Sequence, residues 1–409
     1  MLISQPLIML KRTNALDNIE SFCCFLSTLF PKVFCTGILT WSYGVYIIII
    51  CYQNMARKSP TIAVLMGTFG TILYVLCIYT YYQIILVGPG SPLDYPELRI
   101  HNLSSLDRRH STNTHDRSES GGNSGSPSGN TSGINSDVNS EINSTTALMA
   151  DPEESVGSEE PPSQYLILHT VKNAGTSYRY CTKCSVWKPD RTHHCSSSGK
   201  CILKMDHYCP WFSICVGYFN QKFFVQFLMY VFMYSALMLG SSTSTLWSFF
   251  VEERYDQNEF LPINLVLLFV FGAAFTGAVG FFAAFLYYLT LKNMTTIEFQ
   301  EERWNYRDSK GRGFKYDFDS NGKRKKLGNI FDLGYKKNFT AVMGDTWLTW
   351  LLPISVTTRS IEALHNNGIN FEINEELYQK WCQNAELQDQ LNNQLAEYTR
   401  RVRDGRSQA

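Results

Sequence analysis

Apolar residues in this chain gather into four long runs. Val33–Tyr52, Thr61–Val87, Phe223–Val251 and Leu261–Leu291 each contain no charged side chain. About 20 helical residues cross a hydrocarbon core ~30 Å thick, so each run is long enough to span a bilayer. One such run could be a buried helix of a soluble core; four in one chain predict membrane spans. Lipid offers the backbone no hydrogen bonds, so the spans are expected to be helical. The expected fold class is an all-α polytopic membrane protein with four transmembrane helices.

The polar stretches set an orientation. Arg57 and Lys58 lie between the first two runs, and the loop Glu252–Phe260 is acidic with one Arg. Most other Lys and Arg fall in the middle segment and the C-terminal region. The positive-inside rule therefore puts both termini and the middle segment in the cytosol. Residues 1–32 then read as a cytosolic N-terminus. Their apolar residues precede Lys11 and Arg12, the reverse of a signal peptide.

Residues 96–164 read as a disordered linker. In 111–145, 25 of 35 residues are Ser, Thr, Asn or Gly, and no aromatic occurs between Tyr95 and Tyr165. Such a segment cannot bury enough apolar surface to offset its ordering entropy. Its sequons at Asn102, Asn130 and Asn143 would stay unmodified in the cytosol, so glycosylation there would overturn the orientation. The region 292–409 is expected to be cytosolic. Within it, Gln300–Lys326 ends in Lys323-Arg324-Lys325-Lys326 and reads as a solvated basic loop or a contact for anionic lipid. Ile373, Leu377, Trp381, Leu387, Leu391 and Leu395 predict an amphipathic helix over Glu372–Arg403.

The averages hide this segregation. The formal net charge is zero, from 36 basic and 36 acidic side chains, and the mean hydropathy is −0.15. Both would describe a soluble protein. The charge balance gives no support to a nucleic-acid binder, which carries a basic excess.

Cysteine is the informative residue. Six of the twelve fall between Cys181 and Cys215. A reducing cytosol disfavours a disulfide framework, and short Cys/His spacings read instead as zinc coordination. Cys181 and Cys184 form one ligand pair; His193, His194, Cys195 and Cys201 follow at zinc-knuckle distances. Cys209 is set apart, because it follows Asp206 and His207 and precedes Pro210-Trp211. Cys near His is the minimal arrangement for a thiolate nucleophile. The imidazole takes the thiol proton, and a carboxylate holds the imidazole in its tautomer.

The segment 165–222 carrying these residues resembles the cysteine-rich zinc domain of the DHHC protein S-acyltransferases (palmitoyltransferases), in an Asp-His-Tyr-Cys variant most like fungal members. The pattern runs Cys181-x2-Cys184-x3-Lys188-Pro189-x-Arg191-x2-His194-Cys195. It continues as Cys201-x4-Asp206-His207-Tyr208-Cys209-x5-Cys215-x4-Asn220-x3-Phe224. Thr295-Thr296-Ile297-Glu298 matches the TTxE motif, and Asn338 to Gly344 matches the C-terminal palmitoyltransferase motif. The likeness covers Val33 to Ile354 apart from the linker and the 300–326 loop. It implies a cytosolic zinc domain between spans two and three.

Three departures stand out. Tyr208 replaces a His, Ser198 replaces a Cys, and Gly88-Pro89-Gly90 replaces Asp-Pro-Gly. Carried over from the family, one zinc site is Cys181, Cys184, His194 and Cys201, and it is intact. The second would be Cys195, Ser198, Tyr208 and Cys215, where hydroxyl and phenol are poor substitutes for thiolate and imidazole. One Zn2+ is therefore expected, with the Tyr208 ring packed against Cys195 and Cys215.

The resemblance further implies two-step transfer from palmitoyl-CoA to cysteines of cytosolic-face proteins through an acyl-Cys209 enzyme. His207 would be the base and Asp206 would orient it. Lys188, Arg191 and His193 read either as contacts for the CoA phosphates or as a solvated basic loop. Trp211 is expected at the mouth of the acyl cavity. Tyr234, at the family's far-end position, would limit chain length and favour C16. Thr296 and Asn338 are expected to bond backbone near the site; Asn293 and Glu298 have no assigned role. Tyr208 and Ser198 also motivate a pseudoenzyme adaptor. A transporter is opposed by the absence of charge in the span centres, and a redox Cys-x-x-Cys protein by the lack of a βαβ pattern.

Overall fold

A computed structural model describes residues 15–103, 160–169, 178–251, 260–304, 316–318, 323–363 and 366–406. Most of the expected linker, from 104 to 159, lies outside the described residues, as does the loop 252–259. Among the described residues, four helices are long and apolar enough to cross a membrane: Leu26–Lys58, Pro60–Val87, Gln221–Val251 and Ile263–Leu291.

The first span belongs to α1 (Ala15–Val45), which continues through a π-helical stretch, Tyr46–Met55, into Ala56–Lys58. The helix thus starts well inside the segment expected as a non-membrane N-terminus. Pro31 fails to stop it. The second span, α2 (Pro60–Val87), starts on a proline whose missing N–H is no loss in a first turn. It ends on Gly88 at φ 68°, ψ 172°, a region essentially restricted to glycine. That backbone accounts for glycine where the family usually has Asp.

The third span, α3 (Gln221–Val251), is the central helix: 56% of its apolar window is buried inside the protein, against 22% or less for the other three. It lies close against α4 (Ile263–Leu291). A Cβ on Gly272 would meet the Leu239 backbone nitrogen at 3.1 Å, so the small residue permits the approach.

Between α2 and α3 lie three short antiparallel hairpins. They are β1 (Arg179–Cys181) with β2 (Val186–Lys188), β3 (His193–Cys195) with β4 (Lys200–Ile202), and β5 (His207–Cys209) with β6 (Ile214–Val216). Leu98, Ile100, Leu166, Leu168, Trp187, Leu203 and Phe219 form their shared apolar core. The Ile100 amide donates to Ser185 O at 2.8 Å. Residues 96–103 and the apolar pair at 166 and 168 are therefore part of the module, and the ordered structure reaches into both ends of the region around the expected linker. Asn220 fastens the module to the membrane bundle. It accepts from the Gly217 amide at 2.8 Å and donates to Ile84 O of α2 and to Cys215 O.

Beyond α4 come α5 (Thr296–Trp304), a hairpin of β7 (Tyr316–Phe318) and β8 (Arg324–Lys326), α6 (Tyr335–Met343), α7 (Trp347–Leu351) and α8 (Glu375–Arg406). Asn338 donates to Leu291 O, closing the end of α4, and accepts from the Leu333 amide. The expected amphipathic helix is α8. Ala385 packs with Tyr378 and Trp381, whereas Leu387, Leu391 and Leu395 are exposed.

Candidate active site

The β5–β6 hairpin sorts the tetrapeptide. Its register pairs His207 with Val216, Tyr208 with Cys215 and Cys209 with Ile214. Alternate residues of a strand point to opposite faces. His207 and Cys209 therefore share one face, and Tyr208 takes the other, against the cluster of Cys195, Cys215 and Ile202.

On the first face, His207 Nδ1 donates to Asp206 Oδ2 at 2.7 Å, which leaves the Nε2 edge for a proton. Cys209, on the same face of β5, acts on the His207 ring as a hydrogen-bonding and negative neighbour. Burial opposes a charge on His207. The hydrogen bonds and negative charge of Asp206 and Cys209 outweigh it and raise His207 to about 9. Phe224 and Phe282 pack edge-on against the ring, with centroids at 5.3 and 6.5 Å. Asp206 is itself fixed from a distant part of the chain. The Thr296 amide donates to its Oδ1 at 2.7 Å, and the Thr296 hydroxyl donates to its carbonyl at 2.5 Å. Thr296 thus touches the carboxylate that orients the histidine, a closer role than the backbone support expected of it.

Cys209 opens on a cavity of about 390 Å³ between the four spans. Trp211 and Phe212 line it with Cys209, and Ser42, Tyr234 and Met238 are also among its lining. Trp211 is 56% exposed. The Tyr234 hydroxyl is 3.0 Å from Ser42 Oγ, a partner the sequence did not reveal. The wall is almost wholly aliphatic and aromatic, which suits a hydrocarbon chain.

Among the three basic residues expected at the phosphates, Arg191 is elsewhere. It is buried, and its guanidinium bonds Glu298 through two contacts of 2.7 Å and Asn293 through two of 2.9 Å. Phe331 covers its face at 4.5 Å. A guanidinium so engaged has no open fork for a phosphate. The expectation for Arg191 is therefore corrected, and Asn293 and Glu298 acquire a role as its partners. Burial would push Glu298 up, but Arg191 holds it below the usual carboxylate range. Lys188 and His193 remain in a basic group with Arg179, which lies opposite Lys188 in the β1–β2 register. Burial and then the Arg179 charge push His193 down. The buried Arg179 Nε has no hydrogen-bond partner, which marks it as a residue the sequence reading missed.

Cys181, Cys184, His194 and Cys201 bring four donor atoms within 4.8 Å of one another. His194 Nδ1 is 3.2 Å from Cys184 Sγ and 3.6 Å from Cys181 Sγ. Three thiolates and an imidazole at such separations fit a closed tetrahedral zinc site. The second set does not fit. Ser198 Oγ is 3.6 Å from Cys215 Sγ, and Tyr208 packs on the two cysteines as a ring. Burial, then the charges of Cys215 and Cys195, raise the Tyr208 phenol.

Comparison with known proteins agrees with this geometry. The family model DHHC palmitoyltransferase matches residues 175–303. A Debaryomyces hansenii protein named Palmitoyltransferase PFA3 is 50% identical over 98% of this chain and 96% of its own length. The Saccharomyces cerevisiae protein of that name is 32% identical over 90% of this chain and 91% of its own. A Danio rerio protein, Palmitoyltransferase ZDHHC2, is 29% identical over 79% and 73%.

Proposed function

Because the chain belongs to the DHHC palmitoyltransferase family and is a palmitoyltransferase, we propose that it carries a palmitoyl group from palmitoyl-CoA on Cys209 and delivers it to cysteines of proteins at the cytosolic membrane face. The observation that carries this reading is the Asp206–His207–Cys209 line opening on an apolar cavity between the spans.

In the first step His207 Nε2 takes the Cys209 proton, while Asp206 holds Nδ1–H and steadies the imidazolium. The thiolate attacks the thioester carbonyl. The C–S bond to CoA breaks, and the departing CoA thiolate takes the proton back from His207. In the second step His207 accepts the proton of a substrate cysteine. That thiolate attacks the acyl-Cys209 carbonyl, and Cys209 leaves as thiolate. The acyl chain rests in the cavity and Trp211 lines its entrance. Lys188 and Arg179 supply positive charge for the CoA phosphates, and His193, pushed down by burial and the Arg179 charge, lies beside them as a neutral imidazole near neutrality.

One Zn2+ would be held by Cys181, Cys184, His194 and Cys201. Bound there, the ion would cross-link the hairpins and contribute folding energy. Tyr208 does not impair the base, because its side chain lies on the face opposite His207 and Cys209.

The test uses purified full-length protein and alkyne-tagged palmitoyl-CoA. Wild type takes up hydroxylamine-sensitive label, and Cys209→Ser takes up none. Label of equal intensity on Cys209→Ser would refute the assignment.

A further inference from the structure

The spans are laced together by specific contacts. Between α1 and α2, Tyr43 stacks on Tyr74 with centroids 4.3 Å apart, and its hydroxyl is 3.0 Å from Thr71 Oγ1. Between α1 and α3, the Tyr234 hydroxyl meets Ser42 Oγ. Between α3 and α4, the Thr276 hydroxyl donates to Ser235 Oγ at 3.2 Å, and Gly272 lets the backbones close. The seam between α1 and α4 is of another kind. There the edge of Trp41 meets Phe271, with centroids 5.8 Å apart and ring planes at 89°.

The cavity lies directly behind that seam. Phe34, Ile38 and Trp41 of α1 line it, as do Phe271, Phe275 and Ala278 of α4. As first and fourth of four successive spans, the two helices run antiparallel. Each step from the Trp41–Phe271 contact toward Cys209 therefore goes down α1 in number and up α4. One turn on, Gly37 comes level with Ala274 and Phe275; a further turn on, Phe34 comes level with Ala278. The spacing i, i+3, i+7 puts Phe34, Gly37 and Trp41 on one stripe, and Phe271, Ala274 and Ala278 on another.

At these levels the wall is low. Gly37, Ala274 and Ala278 are small and exposed. A Cβ on Gly37 would meet no atom within 4 Å, so packing inside the protein does not call for the glycine. Glycine in a helix interior is otherwise unfavourable. Phe34 and Phe275 line the cavity, yet they are 44% and 39% exposed. These rings thus border both the cavity and the outside of the bundle, which for a spanning helix is hydrocarbon. An acyl-CoA already keeps its chain in lipid. Threading that chain end-on through water would expose every methylene, whereas passage across this seam keeps it in apolar surroundings.

We propose, taking Cys209 as the acylated residue, that the seam between α1 and α4 is a lateral portal: the hydrocarbon chain of the acyl donor passes between bilayer and cavity over Gly37, Ala274 and Ala278, and the Trp41–Phe271 contact closes its far end.

The experiment uses full-length protein in phosphatidylcholine nanodiscs and single-turnover acylation of Cys209 by palmitoyl-, myristoyl- and hexanoyl-CoA. Gly37→Leu with Ala274→Leu raises the wall, and neither residue is part of the cavity lining. Gly44→Leu is the control. It is two turns further along α1, past Trp41, and a Cβ there also meets nothing within 4 Å. In the double variant, palmitoyl and myristoyl transfer should fall by the same factor, roughly 10-fold, with the hexanoyl rate within about 2-fold of wild type. Gly44→Leu should match wild type with all three donors. A palmitoyl rate equal to wild type in the double variant overturns the portal. So does an equal loss with hexanoyl-CoA, which signals damage to the site. A loss that is greater for palmitoyl than for myristoyl overturns it too, because the added side chains have then shortened the cavity. Label persisting on Cys209→Ser instead sinks the underlying reading and is seen separately.

Discussion

Tyr234 lines the apolar cavity, and if it limits the acyl chain as proposed, its removal has a calculable consequence. The residue is 3% exposed and contributes to the cavity lining with Met238 and Leu268. Ser42 Oγ donates to Leu39 O at 2.9 Å, so in the Ser42–Tyr234 contact the tyrosine hydroxyl is the donor. Tyr234→Ala removes the ring and opens space toward Met238. Stearoyl exceeds palmitoyl by two methylenes. Each is worth about 0.8 kcal/mol when buried, so the pair is worth about 1.6 kcal/mol, roughly 15-fold in relative kcat/KM. The assay is competition between palmitoyl-CoA and stearoyl-CoA, read by mass spectrometry of the acyl group on Cys209. Tyr234→Phe is the control. It loses one hydrogen bond, about 1 kcal/mol, but keeps the ring, so its chain preference stays that of wild type. Tyr234→Ala is destabilised by about 3–5 kcal/mol as a large-to-small core change, so rates are compared as ratios within one preparation. A C18-to-C16 ratio in Tyr234→Ala equal to that of Tyr234→Phe would refute the assignment of Tyr234 as the stop.

Three further outcomes are expected. Thr296→Val deletes the hydroxyl bond to the Asp206 carbonyl but keeps the amide bond to its carboxylate. Acylation should fall roughly 5-fold, about 1 kcal/mol, and Thr296→Ser should restore it; an unchanged Thr296→Val rate argues against the clamp. His207 is raised from 6.5 to about 9 in the folded chain, so its charged form adds stability that is full below about 6.5 and fades as pH rises through 9. Thermal midpoints of unacylated wild type should fall across that window, and those of His207→Asn should not. Metal analysis should find one zinc per wild-type chain and two in Ser198→Cys with Tyr208→His, which rebuilds a Cys3His set. Two zincs in wild type would contradict the single-site reading.

The spans were readable because lipid demands uninterrupted apolar helix, and three of the four runs match their helices closely. The first was misjudged at its start. Lys32 ended the charge-free run, yet one charge near a membrane face does not end a helix. The linker boundary failed for a related reason. Leu98 and Ile100, inside the expected linker, are isolated apolar positions in polar surroundings, with no period to betray them, and their burial comes from packing in one cluster with Trp187 and Phe219. The nucleophile, its base and the first zinc set were legible because their chemistry requires fixed residue types at short spacing. Arg191 was misread for the opposite reason. A basic residue in a basic loop looks solvated, and its carboxylate partner lies at Glu298, far along the chain. Thr296 was expected near the site, but its bond to the Asp206 carboxylate spans a distance that no local pattern records.

Those long-range contacts bear on how the β5–β6 hairpin is held where the second ligand set is incomplete. A loop-rich module normally depends on its metal for folding. Here the β5–β6 hairpin is anchored by contacts that do not involve the missing ligands. Asp206 N donates to Val216 O across the hairpin, Thr296 grips Asp206 from beyond α4, and Asn220 ties Gly217 and Cys215 to α2. The Tyr208 ring packs beside Cys195, Cys215 and Ile202 on that face. The β1–β2 and β3–β4 hairpins have a different reliance. Their connection runs through Cys181, Cys184, His194 and Cys201, in a cluster with few apolar partners beyond Val186 and Leu93. Loss of a ligand from the first set should therefore unfold the module.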